Sequence, residues 1–307
     1  MTEKLTTAVI GAGLMGHGIA WILADAGHAV RVYDRSEDAL QSLPDRLAAI
    51  ADLFGTDETI AARVTAVTSL AEAAAGADLV VEAAAENVGL KQALFVELER
   101  AAPDDAILAS NTSSIPIRII ADRVARKQRV VGTHFWNPPH LVPLVEVVQI
   151  GPENGAAVER TMDILRAAGR SPVHVKKDVP GFIGNRLQHA LKREAIALVA
   201  SGVCDAETLD EVVRLGFGRR MAVLGPMEQS DLVGLDLTEA IHETIMPALD
   251  TTPEPHPYLR ALVAKGRLGM KTGEGFRKWP PGEADAVRGR LRDFLAAQAQ
   301  IERKGKG

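Results

Sequence analysis

An α/β part followed by an all-helical part is the fold this sequence predicts, and three observations predict it. A glycine-rich turn sits between an apolar strand and a helical pattern near the N-terminus. Short apolar runs then recur up to about residue 150, each ending in small polar residues. Beyond Pro180 the periodicity is helical almost throughout.

The stretch TTAVIGAGLMGHGIAWILADAGHAVRVYD carries the first element set. Thr7 to Ile10 are β-prone and apolar. Ile19, Ile22, Leu23 and Ala26 recur at helical spacing, Gly27 can stop the helix, and Val30 to Asp34 read as the next strand. Gly11, Gly13 and Gly16 fit G-x-G-x-x-G, with Leu14 and Met15 completing the loop. The first glycine permits a tight turn, the second lets a pyrophosphate approach the backbone, and the third lets helix and strand pack closely. The free amides at the helix start then face the phosphates. Asp34 follows Gly16 by 18 residues, where a carboxylate accepts both ribose hydroxyls and repels a 2′-phosphate. Strand, turn, helix, second strand and terminal acid in register predict a Rossmann-type domain that binds NAD rather than NADP. Arg35, beside the acid, pulls the other way.

Further strands are expected within Ala77–Asn87, Ala106–Ser114 and Gln128–Phe135. In an open parallel sheet ligands sit beyond the carboxyl ends of the strands. Glu86, Ser113 and His134 therefore arrive at the same rim as the glycine turn. LVEVVQI is one more strand, and the Pro138–Pro139 turn lets it return beside its predecessor, bringing Glu146 back toward His134. A helix over AAVERTMDILRAAGR and a closing strand in SPVHVKKDV follow. A long helix runs from Gly181 to about Ala200, then others start after Asp205, after Pro226 and near Ser230 to Leu249, with a last amphipathic one over Glu283–Arg303. The domains expected are 1–180, binding NAD, and 181–307, helical.

Composition excludes several classes. One cysteine, Cys204, in 307 residues builds no disulfide framework and suits a reducing, cytoplasmic setting. A net charge of −5 argues against nucleic acid, and no apolar run of 18 residues suggests a membrane span. Met1-Thr-Glu-Lys leading straight to a strand does not read as a signal peptide. No metal is expected. The basic ending Arg303-Lys304-Gly305-Lys306 reads as a solvated tail.

Over nearly its whole length the chain resembles the 3-hydroxyacyl-CoA dehydrogenase family. The segments GAGLMG, VVEAAAENVGLK, SNTSS, HFWNPPHLVPLVEVV, DVPGFIGNRL, GPMEQSDLVGLD and KTGEGF carry the resemblance, in order. It implies NAD as cofactor, a small-molecule substrate bound in a cleft, and a homodimer formed through the helical domain. It also implies roles. His134 of HF-x-NP is the base, Glu146 of LVEV orients it, and Ser113 and Asn185 meet the substrate. Glu86, Lys91, Ser113, Asn137 and Lys271 join the glycine turn and Asp34 at the cofactor.

The chemistry of these residue types agrees. Oxidising a secondary alcohol needs a proton acceptor, and an imidazole titrating near ~6.5 suits that exchange. A carboxylate on its far nitrogen fixes the tautomer and stabilises the imidazolium. Each residue also has a plainer reading. A strand-end His can simply bond backbone, Ser113 and Ser114 can cap the helix of IPIRIIADRV, and His17 can merely lie near the phosphates. His140 is a candidate contact for a polar substrate.

The sequence departs from CoA-using members in one respect with chemical weight. They carry lysines after the second strand, whereas no lysine lies between Lys4 and Lys91 here. From Ser36 to Leu70, six acids (Glu37, Asp38, Asp45, Asp52, Asp57, Glu58) face two arginines, Arg46 and Arg63. NPPH and the longer GFGRRMAVLGP resemble the branch acting on small acids: L-gulonate 3-dehydrogenase with lambda-crystallin, and the pyridine-carboxylate alcohol dehydrogenase. Arg219 and Arg220 would then hold a carboxylate, unless they are a solvated pair. Two substrate classes stand, a 3-hydroxyacyl-CoA and a small hydroxy acid or alcohol. A catalytically silent crystallin-like protein is a third reading.

Overall fold

The structure, a computed structural model, describes residues 4–56 and 59–304. Asp57 and Glu58, two of the acids counted above, lie outside them, as do residues 305–307 of the basic ending.

Eight strands form one sheet: β1 (Thr6–Ile10), β2 (Ala29–Tyr33), β3 (Val64–Val67), β4 (Leu79–Glu82), β5 (Ile107–Ser110), β6 (Val130–Phe135), β7 (Leu144–Val148) and β8 (Ser171–Val175). Their order is β3-β2-β1-β4-β5-β6-β7-β8. The first six run parallel. β7 is antiparallel to β6, and β8 is parallel to β7. Successive side chains of a strand alternate between faces, and here each face meets its own helical layer. Val9, Val81 and Val131 join one apolar cluster. Ala8, Ile10, Val80 and Val130 join the other. Burying each such valine or isoleucine favours the fold by about 1.5–3 kcal/mol.

Helices α1 (Gly16–Asp25), α2 (Glu37–Gln41), α3 (Leu43–Phe54), α4 (Leu70–Ala74), α5 (Val88–Ala101), α6 (Ile117–Ile120) and α7 (Gly155–Ala167) cover the sheet. Several are started by caps: Ser36, Ser69 and Asn87 each accept an amide from the first turn. The α6 start is different. The serines of SNTSS do not cap it; Asp178 does, accepting Ile117 N at 3.0 Å and Arg118 N at 2.8 Å.

The helical part comprises α8 (Gly184–Ala200), α9 (Ala206–Leu215), α10 (Pro226–Val233), α11 (Leu235–Ile245), α12 (Pro257–Ala264) and α13 (Glu283–Lys304). The helix expected over Ser230–Leu249 is interrupted at Gly234, whose φ of 99° no helix accommodates. By packing, residues 1–186 with 291–307 make one compact unit and 187–290 a second. The end of α13 thus belongs with the sheet. Arg303 is not a solvated tail residue: its guanidinium lies 4.6 Å from the Phe54 ring and pairs with Asp25 at 2.8 Å. Ala296 and Ala299 pack with Leu141.

Candidate active site

The three motif glycines answer to three different constraints. A Cβ on Gly11, where φ is 112°, would press on the Ala83 backbone, and one on Gly16 would overlap the carbonyl of Gly11. Gly13 faces open space, with nothing within 4 Å of such an atom. No side chain caps α1 and no acid sits in its first turn, so its leading amides stay available to an anion. Leu14 is 67% exposed on the same turn, while Met15 packs on the core. Asp34 is tied to this turn: Oδ2 accepts Ala12 N at 2.7 Å and Oδ1 accepts Ser36 N at 2.9 Å. His17 bonds the Gly13 carbonyl at 2.8 Å.

At the ends of β4 and β5 a buried ionic group forms. Glu82 Oε1 accepts Lys91 Nζ at 2.6 Å and Ala84 N at 2.7 Å, and Oε2 accepts the Ser110 hydroxyl at 2.7 Å. Lys91 is buried and also meets the Ala84 carbonyl at 3.3 Å and Glu86 at 3.4 Å. The lysine expected at the cofactor therefore has its ammonium turned onto Glu82 and Glu86. Glu86 accepts Thr112 Oγ1 at 2.6 Å, Ser113 N at 3.1 Å and Ser114 N at 3.2 Å. Burial pushes its carboxyl up, but Thr112, Lys91 and the two amides outweigh that and hold it below the usual range. Asn185 Nδ2 donates to the Ser113 carbonyl at 2.8 Å, joining α8 to this turn. Glu82 was not among the expected site residues. The signal for it was an acid inside the apolar run VVEAAAEN, where an unpaired charge would be costly.

His134 and Glu146 are direct register partners across the β6–β7 pair. Paired residues put their side chains on one face, about 5 Å apart at Cβ. His134 Nδ1 lies 2.7 Å from Glu146 Oε2, both groups being buried. Glu146 Oε1 accepts Ile183 N at 2.9 Å and Gly184 N at 3.0 Å. Burial raises the Glu146 carboxyl, yet the His134 bond and these amides bring it below its ordinary value. Trp136 and Phe182 flank the imidazole, with ring centroids 5.3 and 5.7 Å away.

The structure thus joins His134 with Glu146, and Glu86 with Lys91, Ser113 and Asn185. Asn137 is exposed just after β6, in a cis peptide with Pro138. Lys271 belongs to the helical unit, exposed on a 3₁₀ turn at Met270–Thr272. His140 packs against α1 at Gly18 instead of standing free for substrate; burial, His17 and Arg170 push it down to about 4.

The chain as a whole has counterparts among known proteins. Residues 6–179 match the description "3-hydroxyacyl-CoA dehydrogenase, NAD binding domain", and residues 181–279 match "3-hydroxyacyl-CoA dehydrogenase, C-terminal domain". The chain belongs to the 3-hydroxyacyl-CoA dehydrogenase family. Over 301 residues, covering 96% of this chain and 97% of the relative, it is 35% identical to 5-formyl-3-hydroxy-2-methylpyridine 4-carboxylate 5-dehydrogenase of Mesorhizobium japonicum. It is 39% identical over 288 residues to the human mitochondrial hydroxyacyl-coenzyme A dehydrogenase, covering 88% of this chain and 90% of that one. A solved pyridine-carboxylate 5-dehydrogenase, described as an NAD+-dependent dismutase, superposes with a TM-score of 0.90 at 33% identity, covering 98% of this chain and 99% of that one. The (S)-3-hydroxybutyryl-CoA dehydrogenase of Ralstonia eutropha gives 0.75 at 31% identity, over 90% and 99%.

Like its family, the chain is an NAD-dependent dehydrogenase acting on CH–OH groups. Its residues fit that cofactor: Gly13 leaves room where a side chain would intrude, α1 opens uncapped, and Asp34 stands at the end of β2. Among the described residues no helix is long and apolar enough to cross a membrane.

Proposed function

We propose that the chain oxidises a secondary alcohol to a ketone with His134 as the base and Glu146 as the residue that orients it. The observation that carries this is the buried 2.7 Å bond from Nδ1 to Oε2, which leaves Nε2 for substrate. Bound NAD supplies the hydride acceptor. His134 Nε2 takes the hydroxyl proton as the C–H bond gives up its electron pair, and Glu146 balances the imidazolium. The Ser113 hydroxyl and the Asn185 side chain stand by the substrate oxygen, while Glu86 holds the turn that carries Ser113. The glycine turn, with Leu14 and Met15, and Asp34 hold the dinucleotide. Asn137 completes that site in this reading.

The substrate we favour is a small hydroxy acid or alcohol without CoA. Between Ser36 and Leu70 only two arginines stand against the six acids, and each gives one donor to the backbone, Arg46 to the Ala12 carbonyl at 3.0 Å and Arg63 to the Ala24 carbonyl at 3.0 Å. A CoA phosphate would find little charge-assisted help there. The closer superposition on the pyridine-carboxylate enzyme points the same way. The 39% identity to the human enzyme favours the acyl-CoA reading. NADH formation with 3-hydroxybutyryl-CoA, set against a panel of free hydroxy acids and pyridine alcohols, separates the two. Thioester turnover with none on free acids would overturn our choice. A catalytically silent protein would turn over neither.

We also propose a homodimer through the helical unit. In residues 187–290 Leu262 is the one buried residue, and Met227, Leu232 and Leu235 are more than half exposed. So much open apolar surface needs a partner, and a second copy supplies it. The half-buried, unpaired Cys204 is consistent with a reducing cytoplasm.

A further inference from the structure

The oxygen of Glu146 that faces away from His134 is held by the amides of a tight turn. The turn runs from Val179 to Gly184, and Phe182 within it has φ of 50°. Among the described residues it is the one non-glycine with positive φ. That left-handed conformation is unfavourable for an ordinary side chain, and such a residue persists only where its surroundings determine it. The surroundings here do so from both ends. Asp178, just before the turn, is bound to the start of α6, and Phe182 N donates to the Val179 carbonyl at 3.1 Å. Gly184, just after, lies so close to the Trp136 indole that a Cβ would collide with it. The next two amides, of Ile183 and Gly184, both point at Glu146 Oε1.

We infer that Phe182 is a positioning residue for the reaction: its left-handed backbone aims the Ile183 and Gly184 amides at Glu146, locking the carboxylate so that its other oxygen faces His134. A carboxylate held by one imidazole alone is free to rotate about its terminal torsion, which is broad and soft. Three bonds to two oxygens remove that freedom. The amides also keep the buried group ionised, in line with the lowering of its carboxyl by those same bonds. The ring has a separate role, filling the core beneath His134.

The inference rests on the dyad reading, and backbone and ring can be told apart. Phe182→Gly, Phe182→Ala and Phe182→Val rank oppositely for the two roles. Tolerance of the left-handed region falls from Gly to Ala to Val, whereas filled volume rises in that order. We expect kcat to fall in the order Gly, Ala, Val, with Val about tenfold or more below Gly and KM for NAD unchanged. The acid limb of the kcat/KM profile should move by about half a pH unit in Val and stay in place in Gly. The reverse order of kcat, tracking volume, or an unmoved limb in all three, overturns the proposal.

Should those variants fail to fold, amide hydrogen exchange on the native chain decides. Ile183 and Gly184 should exchange about tenfold or more faster in Glu146→Ala than in wild type, and equal rates in the two overturn the proposal. A His134→Gln enzyme that keeps full turnover defeats the dyad instead. It leaves the exchange result standing, because the two amides bond the oxygen that His134 does not touch.

Discussion

The sheet unit and the helical unit of one chain solve the burial problem in opposite ways. In the sheet, strands alternate their side chains into two separate clusters, and even charged groups find partners inside: Glu82 with Lys91, Glu146 with His134. In residues 187–290 two of the helices carry side-chain caps, Asp205 accepting Thr208 N at 2.7 Å and His256 Nδ1 accepting Tyr258 N at 3.1 Å. Yet they bury almost nothing. Local propensity and packing are separable, since a helix forms from caps and spacing but is held by what covers its apolar face. In our proposal the chemistry lies with the self-sufficient unit, and the other one depends on association.

Four measurements test that contrast. The largest effect belongs to His134→Gln, which should lower kcat by about 10²–10⁴ with NAD affinity and dimer content unchanged. Full turnover would remove the sheet's claim to the chemistry. Next is Lys91→Met, which strands Glu82 as a buried charge and should destabilise the sheet unit by about 3–5 kcal/mol. Adding Glu82→Gln should recover part of that loss, and strictly additive effects in the double variant would deny the pairing. Smaller is the outcome of Met227→Asp with Leu232→Asp on the exposed face of α10. The dimer dissociation constant should rise about 100-fold, equivalent to about 2.8 kcal/mol, while NAD binding persists. An unchanged mass by light scattering would show that this face does not contact a second copy.

The smallest effect is one of pH. His140, His17 and His28 are all held below the ordinary imidazole value, with burial the first cause in each, and His140 is pushed down to about 4. The unfolded chain therefore takes up protons before the native one does. Stability should decline as pH falls from about 6.5 toward 4 and level off below that, where His140 charges in the native state too. The urea midpoint should follow this course and fall less steeply in His140→Asn. An equal slope in the variant would exclude His140 from the effect.

Much of this could be read before any coordinates. The turn at Gly11–Gly16, seven of the eight strands in the order expected, and the return of Glu146 to His134 all follow from period, spacing and the Pro-Pro turn. What escaped was set by tertiary contacts. β3 is short and half exposed at the sheet edge, so VTAV carries little apolar signal. Ser113 and Ser114 suggested a cap, but an acid 64 residues after Ser114, Asp178, took that place. Phe182 shows nothing unusual as a letter, because a left-handed backbone leaves no mark in residue type when the surroundings impose it.

The reversal between β6 and β7 has a last consequence, for how such an enzyme changes its clientele. Because the proposed base and orienting acid sit on adjoining strands in fixed register, residues 138–143 need only turn the chain back; the strand pairing sets which residues face each other. Changes in that loop that keep the turn can alter which alcohol is admitted while the His134–Glu146 pair stays as it is. New specificity can therefore arise, by drift or in a library of grafted loops, without rebuilding the catalytic pair.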